Sequence, residues 1–386
     1  MKKLVFCILY SLSLTAQNAI YNSGNMQLHT GAQVGFHTNM INDGTLDNNT
    51  GFVGFYADNE IRIISGTNNI TFFDVEIDAL QNLELYTSLG IRNQLNFING
   101  LIITPKDNTN ISLNFIDYDY YAGEDNAHHV NGYTSVIQKS KNINFTFPVG
   151  DGIFLRPITI PNNNDNAYFK GAYFYENPNS PGAFAANFST NQKQIIIENI
   201  SSTEFWDLDG NIETRVTLTW NSRSNIATIA SNISQLTVVG WSISENQWVN
   251  LNTLNHTGDL TNGTVTSAMF VPNDYEIITI GSLLGNEVET NNNILISPNG
   301  DNLNDLLVFN EVNEYPYNKL SIYNRWGNIV YQTKNYQNNW DGISNGRTIF
   351  DKGEKLPSAT YFYTLELGNT PNKYSELKKG WVYINR

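Results

Sequence analysis

The residues best suited by type and spacing to do chemistry lie in "IDYDYYAGEDNAHH", residues 116–129. Asp117 and Asp119 share one face if the stretch is extended. Glu124 and Asp125 follow Gly123 in a turn, and Tyr118, Tyr120 and Tyr121 are interleaved. Hard divalent cations take oxygen ligands, and apolar sugar faces stack on aromatic rings. The composition therefore suits calcium-assisted glycan binding, with Ca the only cofactor the sequence suggests. An acidic loop whose tyrosines pack into a domain boundary accounts for the same letters. His128 and His129 are adjacent, so on a strand they point to opposite faces and do not readily share a metal; a polar loop is the expectation there.

Two other stretches place carboxylates close together. In "SPNGDNLND" (297–305), Asn299, Asp301 and Asp305 surround Gly300, but the spacing lacks the closing glutamate of an EF-hand loop. An Asx turn leading into the strand from Leu306 is expected. "FWDLDGNIE" (205–213), with Asp207, Asp209 and Glu213, has its glycine too early for a calcium loop and is read as a turn.

No local catalytic signature is present: no G-x-S-x-G, no Walker loop, no H-E-x-x-H and no paired cysteines. Glycoside hydrolysis needs two carboxylates a few ångströms apart, but in an acid-rich body such a pair arises by chance. A polysaccharide lyase needs basic groups that this chain has in short supply. The body is expected to be non-enzymatic, used for adhesion or glycan or matrix contact. A secreted glycoside hydrolase or lyase is the alternative, and a structural component of the surface machinery a third reading.

The elements that must position these residues are short strands. The chain has 386 residues, 15% charged, 12% aromatic, with 28 Gly, and about one residue in seven is Asn. Asparagine caps its own backbone and tolerates left-handed geometry, so this composition describes many strands joined by tight turns. Of 22 basic and 36 acidic residues, 10 and 9 fall in 294–386. Leaving out Lys2 and Lys3, 10 and 27 remain in 17–293. So acidic a body repels phosphate backbones and anionic lipid, and no nucleic-acid partner is expected.

Residues 1–16 read as a signal peptide: Lys2 and Lys3, an apolar run from Leu4 to Leu14, small residues to Ala16. The single cysteine, Cys7, lies within it. No later stretch has the roughly 20 apolar residues of a membrane helix, so no integral membrane segment is expected after cleavage.

From Ala19 to Ile103, short apolar pairs recur every dozen residues or so between "NDG", "NNTG" and "SGTNN" turns. This suits the rungs of a β-solenoid, with a meandering sandwich as the alternative for 17–125. Longer strands follow in 126–282, such as "AYFKGAYFY" and "QLTVVGWSI", at sandwich spacing. Residues 283–293, "LLGNEVETNNN", read as a linker. The tail 294–386 packs about seven strands into a small immunoglobulin-like sandwich, and the expected fold class is all-β throughout.

Within the tail, "KLSIYNRWGNIVYQ" (319–332) reads as a hairpin. Gly327-Asn328 is taken as a two-residue type II′ loop, with Trp326 facing Ile329 and Arg325 turned to the other face. With "SPNGDNLND", "NNWDG", "LPSATYFYTLEL" and "KGWVYINR" in order, the tail resembles the gliding motility-associated C-terminal domain family. That family is the type B sorting domain of the type IX secretion system of outer-membrane-bearing gliding bacteria. The residues that carry the resemblance are Asn299, Gly300, Asp301, Asp305, Arg325, Trp326, Gly327, Trp340, Asp341, Gly342, Gly380, Trp381 and Arg386. Asn302 and Ala359 depart from it, standing where the family usually has glycine. The resemblance implies recognition by the outer-membrane type IX translocon and delivery to the cell surface or the medium, on the extracellular side of the outer membrane.

Overall fold

The computed structural model describes residues 19–116, 120–138, 144–161, 167–284, 294–301, 303–345, 352–368, 370, 374 and 376–386. The expected signal peptide, Asp117 and Asp119, Asn302 and most of the expected linker lie outside these residues.

The protein is all-β, and its N-terminal region is a β-solenoid of about five turns. Each turn contributes one strand to each of two parallel ladders. One runs Ala19–Asn22, Asn39–Asn42, Arg62–Ser65, Leu83–Leu85, Ile102–Ile103 and Val130–Asn131; the other begins Gln33–Phe36, Phe52–Ala57, Ile70–Ala79, Leu89–Asn99 and Leu113–Phe115. The dozen-residue spacing in the sequence is therefore half a turn. Like residues stack on like: Phe36, Phe55 and Phe72 form a buried column with ring centroids 5.2 and 6.1 Å apart.

The asparagines hold successive turns together at the corners. Asn42, fully buried, accepts from Asn22 Nδ2 at 2.7 Å and donates to the carbonyls of Gly44 and Asn68 at 3.2 and 3.1 Å. Asn49 accepts the Leu28 amide and donates to the Thr71 carbonyl, both at 2.7 Å. One planar side chain thus satisfies backbone groups on neighbouring turns that no strand pairs, which a buried corner requires.

The second ladder continues past residue 125 without a break. Strand Leu113–Phe115 pairs in parallel with Thr134–Gln138, which pairs antiparallel with Ala167–Phe174; Phe205–Asp209, Tyr275–Leu283, Leu236–Ser242 and Gln247–Asn250 follow. A five-stranded sheet, Phe145–Phe147, Ile158–Ile160, Thr217–Trp220, Gly263–Ser267 and Thr253–Gly258, lies in the same region. One apolar core runs from Leu28 to Ile280, so solenoid and sandwich form a single compact unit, to Gln192 and from Asn199 to Ser282.

The second unit comprises Lys193–Glu198 and Leu283–Arg386. Its main sheet runs Ile294–Ile296, Glu376–Ile384, Ala359–Gly368, Tyr317–Tyr323 and Ile329–Lys334, with a separate pair of Ile343–Asn345 and Lys352–Lys355. The first strand is parallel to the last, Ile296 opposite Ile384. The inner face buries Leu320, Ile322, Tyr361, Tyr363, Leu365 and Val382 against Leu307, Phe309, Trp340 and Leu356, a core of its own. Among the described residues no helix is long and apolar enough to cross a membrane.

Candidate functional site

In the second unit the thirteen residues singled out in the sequence fall into two groups, those that close the fold and those that face solvent. Asp305 belongs to the first: its Oδ1 accepts the amides of Asn299 and Gly300, each at 2.9 Å. Asp301 accepts from the Leu303 amide at 2.8 Å and from Asn299 Nδ2 at 2.9 Å, and Gly300 sits at φ +84°. These carboxylates are engaged in making the turn.

Trp340 is buried, its Nε1 donating to the Ile343 carbonyl at 2.9 Å and its ring 5.7 Å from Tyr331. Arg386 donates from Nε to Leu356 O and from one terminal nitrogen to Asp341 O and Gly342 O, at 2.9, 3.0 and 2.9 Å. Gly342, at φ +81°, leaves room for that guanidinium: a Cβ there would lie 2.8 Å from it. Gly380 stands opposite Tyr363 in the sheet. Ala359 is an extended strand residue opposite Ile384, a conformation that any side chain adopts, so this departure from the family pattern costs the fold nothing.

The hairpin corrects the type II′ reading. Pairing ends at Tyr323 and Ile329, and the loop is the longer one in which Asn324 and Asn328 pair at 2.9 Å and the Gly327 amide donates to Asn324 O at 2.9 Å. Gly327, at φ +82°, takes the left-handed position of a three-residue loop with a bulge. The cause is Asn324, whose buried Oδ1 accepts the amides of Trp326 and Asn328 at 3.0 Å each. Trp326 does not face Ile329. It is 65% exposed, and the Arg325 guanidinium, expected on the opposite face, lies 4.2 Å above its ring.

Exposed apolar groups line the outer face of the main sheet. Trp381 pairs with Phe362, and Phe362 with Tyr323, beside the loop that carries Trp326. Tyr383 pairs with Leu295 one step away. Phe362 is 49% and Trp381 39% exposed. Partners in register share a face, so these rings form a row across three strands. Phe362 and Tyr323 were not singled out in the sequence, although the aromatic between inward Tyr361 and Tyr363 was the available signal.

In the first unit, Glu124 is exposed and Asp125 closes a turn: its Oδ1 accepts the Ala127 amide at 2.7 Å and lies 3.0 Å from His128 Nδ1. His129 is buried; its Nε2 accepts the Gly152 amide and its Nδ1 faces the Asp125 carbonyl, both at 3.1 Å. Among the described residues no group of three or more His, Cys, Asp or Glu is arranged to hold a metal.

Asp207 and Asp209, expected in a turn, lie on the strand Phe205–Asp209. Asp207 accepts from the Tyr133 hydroxyl at 2.7 Å, and burial, with Asp209 and Glu276 nearby, pushes its carboxyl up to about 7 against the opposing effects of that hydrogen bond and of Lys170. A carboxyl raised in the fold stabilises fully below its unfolded value near 4, and that stability drains away as pH rises towards 7. Urea unfolding at pH 5 and pH 8 is expected to show a loss of about 2–3 kcal/mol that Asp207→Asn removes. An unchanged pH dependence in the variant would refute this assignment.

Fold and site together define a two-unit all-β protein whose second unit is an independently cored sandwich with an exposed aromatic face. Residues 288–384 match the family described as the CHU_C type IX secretion signal domain. A domain of this kind supports export by type IX secretion, to the cell surface or the extracellular space. No curated protein and no solved structure matches the chain.

Proposed function

We propose that this protein enters the periplasm by an N-terminal signal peptide, crosses the outer membrane by docking its C-terminal unit on the type IX translocon, and then acts outside the cell as a non-enzymatic binding protein. The body serves adhesion or glycan binding. What carries the export reading is the aromatic row Trp381–Phe362–Tyr323 on the unit that matches the secretion signal domain. A monomeric domain gains nothing from aromatic rings left in water, whereas a partner that covers them gains their burial. The body is suited to exposure outside the cell because its described corners are closed by amide hydrogen bonds, which need no reducing environment.

Deletion of residues 294–386 tests this. The truncated chain is expected to fold and to accumulate in the periplasm of its host, while the intact chain reaches the surface or the medium. Equal delivery of both would overturn the proposal.

A further inference from the structure

A cleft of about 350 Å³ opens on the first unit where the last solenoid turns meet the sandwich. Its floor is set by register: Asn114 pairs with Ser135, and Ser135 with Lys170, so the three side chains stand in a row on the outer face. The Ser112 and Ser135 hydroxyls donate to Asn114 Oδ1 at 2.6 and 2.7 Å, which fixes the amide and turns its Nδ2 the other way. Among the described residues that Nδ2 has no acceptor, and the Asn110 side chain and Tyr168 hydroxyl at the rim have no hydrogen-bond partner either. Tyr168 is 43% exposed and sits opposite Ile137, forming an apolar wall.

We infer that this cleft binds a neutral saccharide chain, a reading that deepens the binding role proposed for the body and rests on it. The unused Asn114 amide donor on the floor, with the Asn110 amide and Tyr168 hydroxyl at the rim, matches the hydroxyls of a polyol, while the tyrosine ring and aliphatic wall match the apolar face of a pyranose. The ligand is neutral because, among the described residues that line the cleft, the one cation is already committed. Lys170 Nζ lies 3.2 Å from the Asp209 carboxylate and 3.2 Å from the Thr109 carbonyl. An added peptide strand is excluded: Leu113–Phe115 and Thr134–Gln138 are each paired on both sides, leaving no backbone edge.

The test is calorimetric titration of the full chain with cellohexaose, laminarihexaose, mannohexaose and an acidic oligogalacturonate. At least one neutral hexamer is expected to bind. Tyr168→Ala and Asn110→Ala are expected to weaken it, the first by about tenfold or more, with melting temperature unchanged. Tyr86→Ala, at an exposed tyrosine on another turn, is expected to bind as the wild type does. Binding that survives both cleft variants would overturn the site while leaving glycan binding by the body intact. If the acidic probe bound more tightly than every neutral one, the ligand class would be wrong. No binding by any probe would defeat the glycan reading of the body and the site with it.

Discussion

A foreign folded protein that carries residues 283–386 at its C-terminus, behind a signal peptide proven in the host, is expected to leave a type IX-competent cell rather than stay in its periplasm. The physical basis is closure. Among the described residues every strand of the tail pairs within the tail, from Ile294–Ile296 on Glu376–Ile384 to Tyr317–Tyr323 on Ile329–Lys334, and a separate core from Ile296 to Ile384 lies beneath them. Nothing in those ladders needs the first unit. Fractionation and immunoblotting read the result, and complete retention of the fusion would defeat the idea of a transferable signal.

The same fusion separates recognition from folding. Trp381→Ser with Phe362→Ser alters only the outer row, at side chains 39% and 49% exposed, and is expected to leave the fold intact while cutting export by about tenfold or more. Trp340→Ala opens a hole in the core instead, at a cost of about 3–5 kcal/mol, and is expected to abolish export through unfolding. Circular dichroism distinguishes the two routes. Normal export of the folded double variant would move the recognition surface elsewhere, with the Arg325–Trp326 loop next in line.

How far the sequence could be read depended on how far each interaction reached. The solenoid was legible because its signal is local: apolar pairs, Asn/Gly turns and a fixed spacing follow directly from rungs that stack like on like. What spacing could not show was where the solenoid stops, since the ladder passes from parallel to antiparallel pairing at Thr134–Gln138 with no change in inward alternation. The hairpin was placed correctly but its loop was misread. Gly327-Asn328 satisfies a rule for two-residue loops, yet Asn324 offers a side-chain acceptor to two amides and so fixes a longer one. Of the binding surfaces, the sequence pointed to the acids at 117–125. The cleft joins Asn110, Asn114, Ser135 and Tyr168 from separate strands and loops, a constellation that only tertiary pairing assembles.

Arg156 was equally silent in the sequence, where "FLRPI" looks like a charged residue before a strand, and its replacement is expected to be among the most damaging single changes in the body. It is 2% exposed and meets Glu204, fully buried, through both ends of the guanidinium at 2.8 and 3.0 Å. Ser224 Oγ at 2.9 Å and the Thr219 carbonyl take further donors, and the plane lies 5.1 and 5.3 Å from the rings of Tyr173 and Trp206. Thr219 belongs to the five-stranded sheet, and Tyr173 and Trp206 to the long one, so one side chain ties the two sheets together. Arg156→Met keeps much of the volume but leaves Glu204 with the Tyr173 hydroxyl, at 2.6 Å, as its remaining side-chain donor. A buried carboxylate stripped of its cation costs about 3–5 kcal/mol, and urea unfolding should show that loss in the first unit. Adding Glu204→Gln removes the stranded charge while preserving an acceptor for Tyr173, so the double variant should recover part of the loss. If it were no more stable than Arg156→Met alone, the damage would come from lost packing against the rings, and the charge pair would not be what joins the sheets.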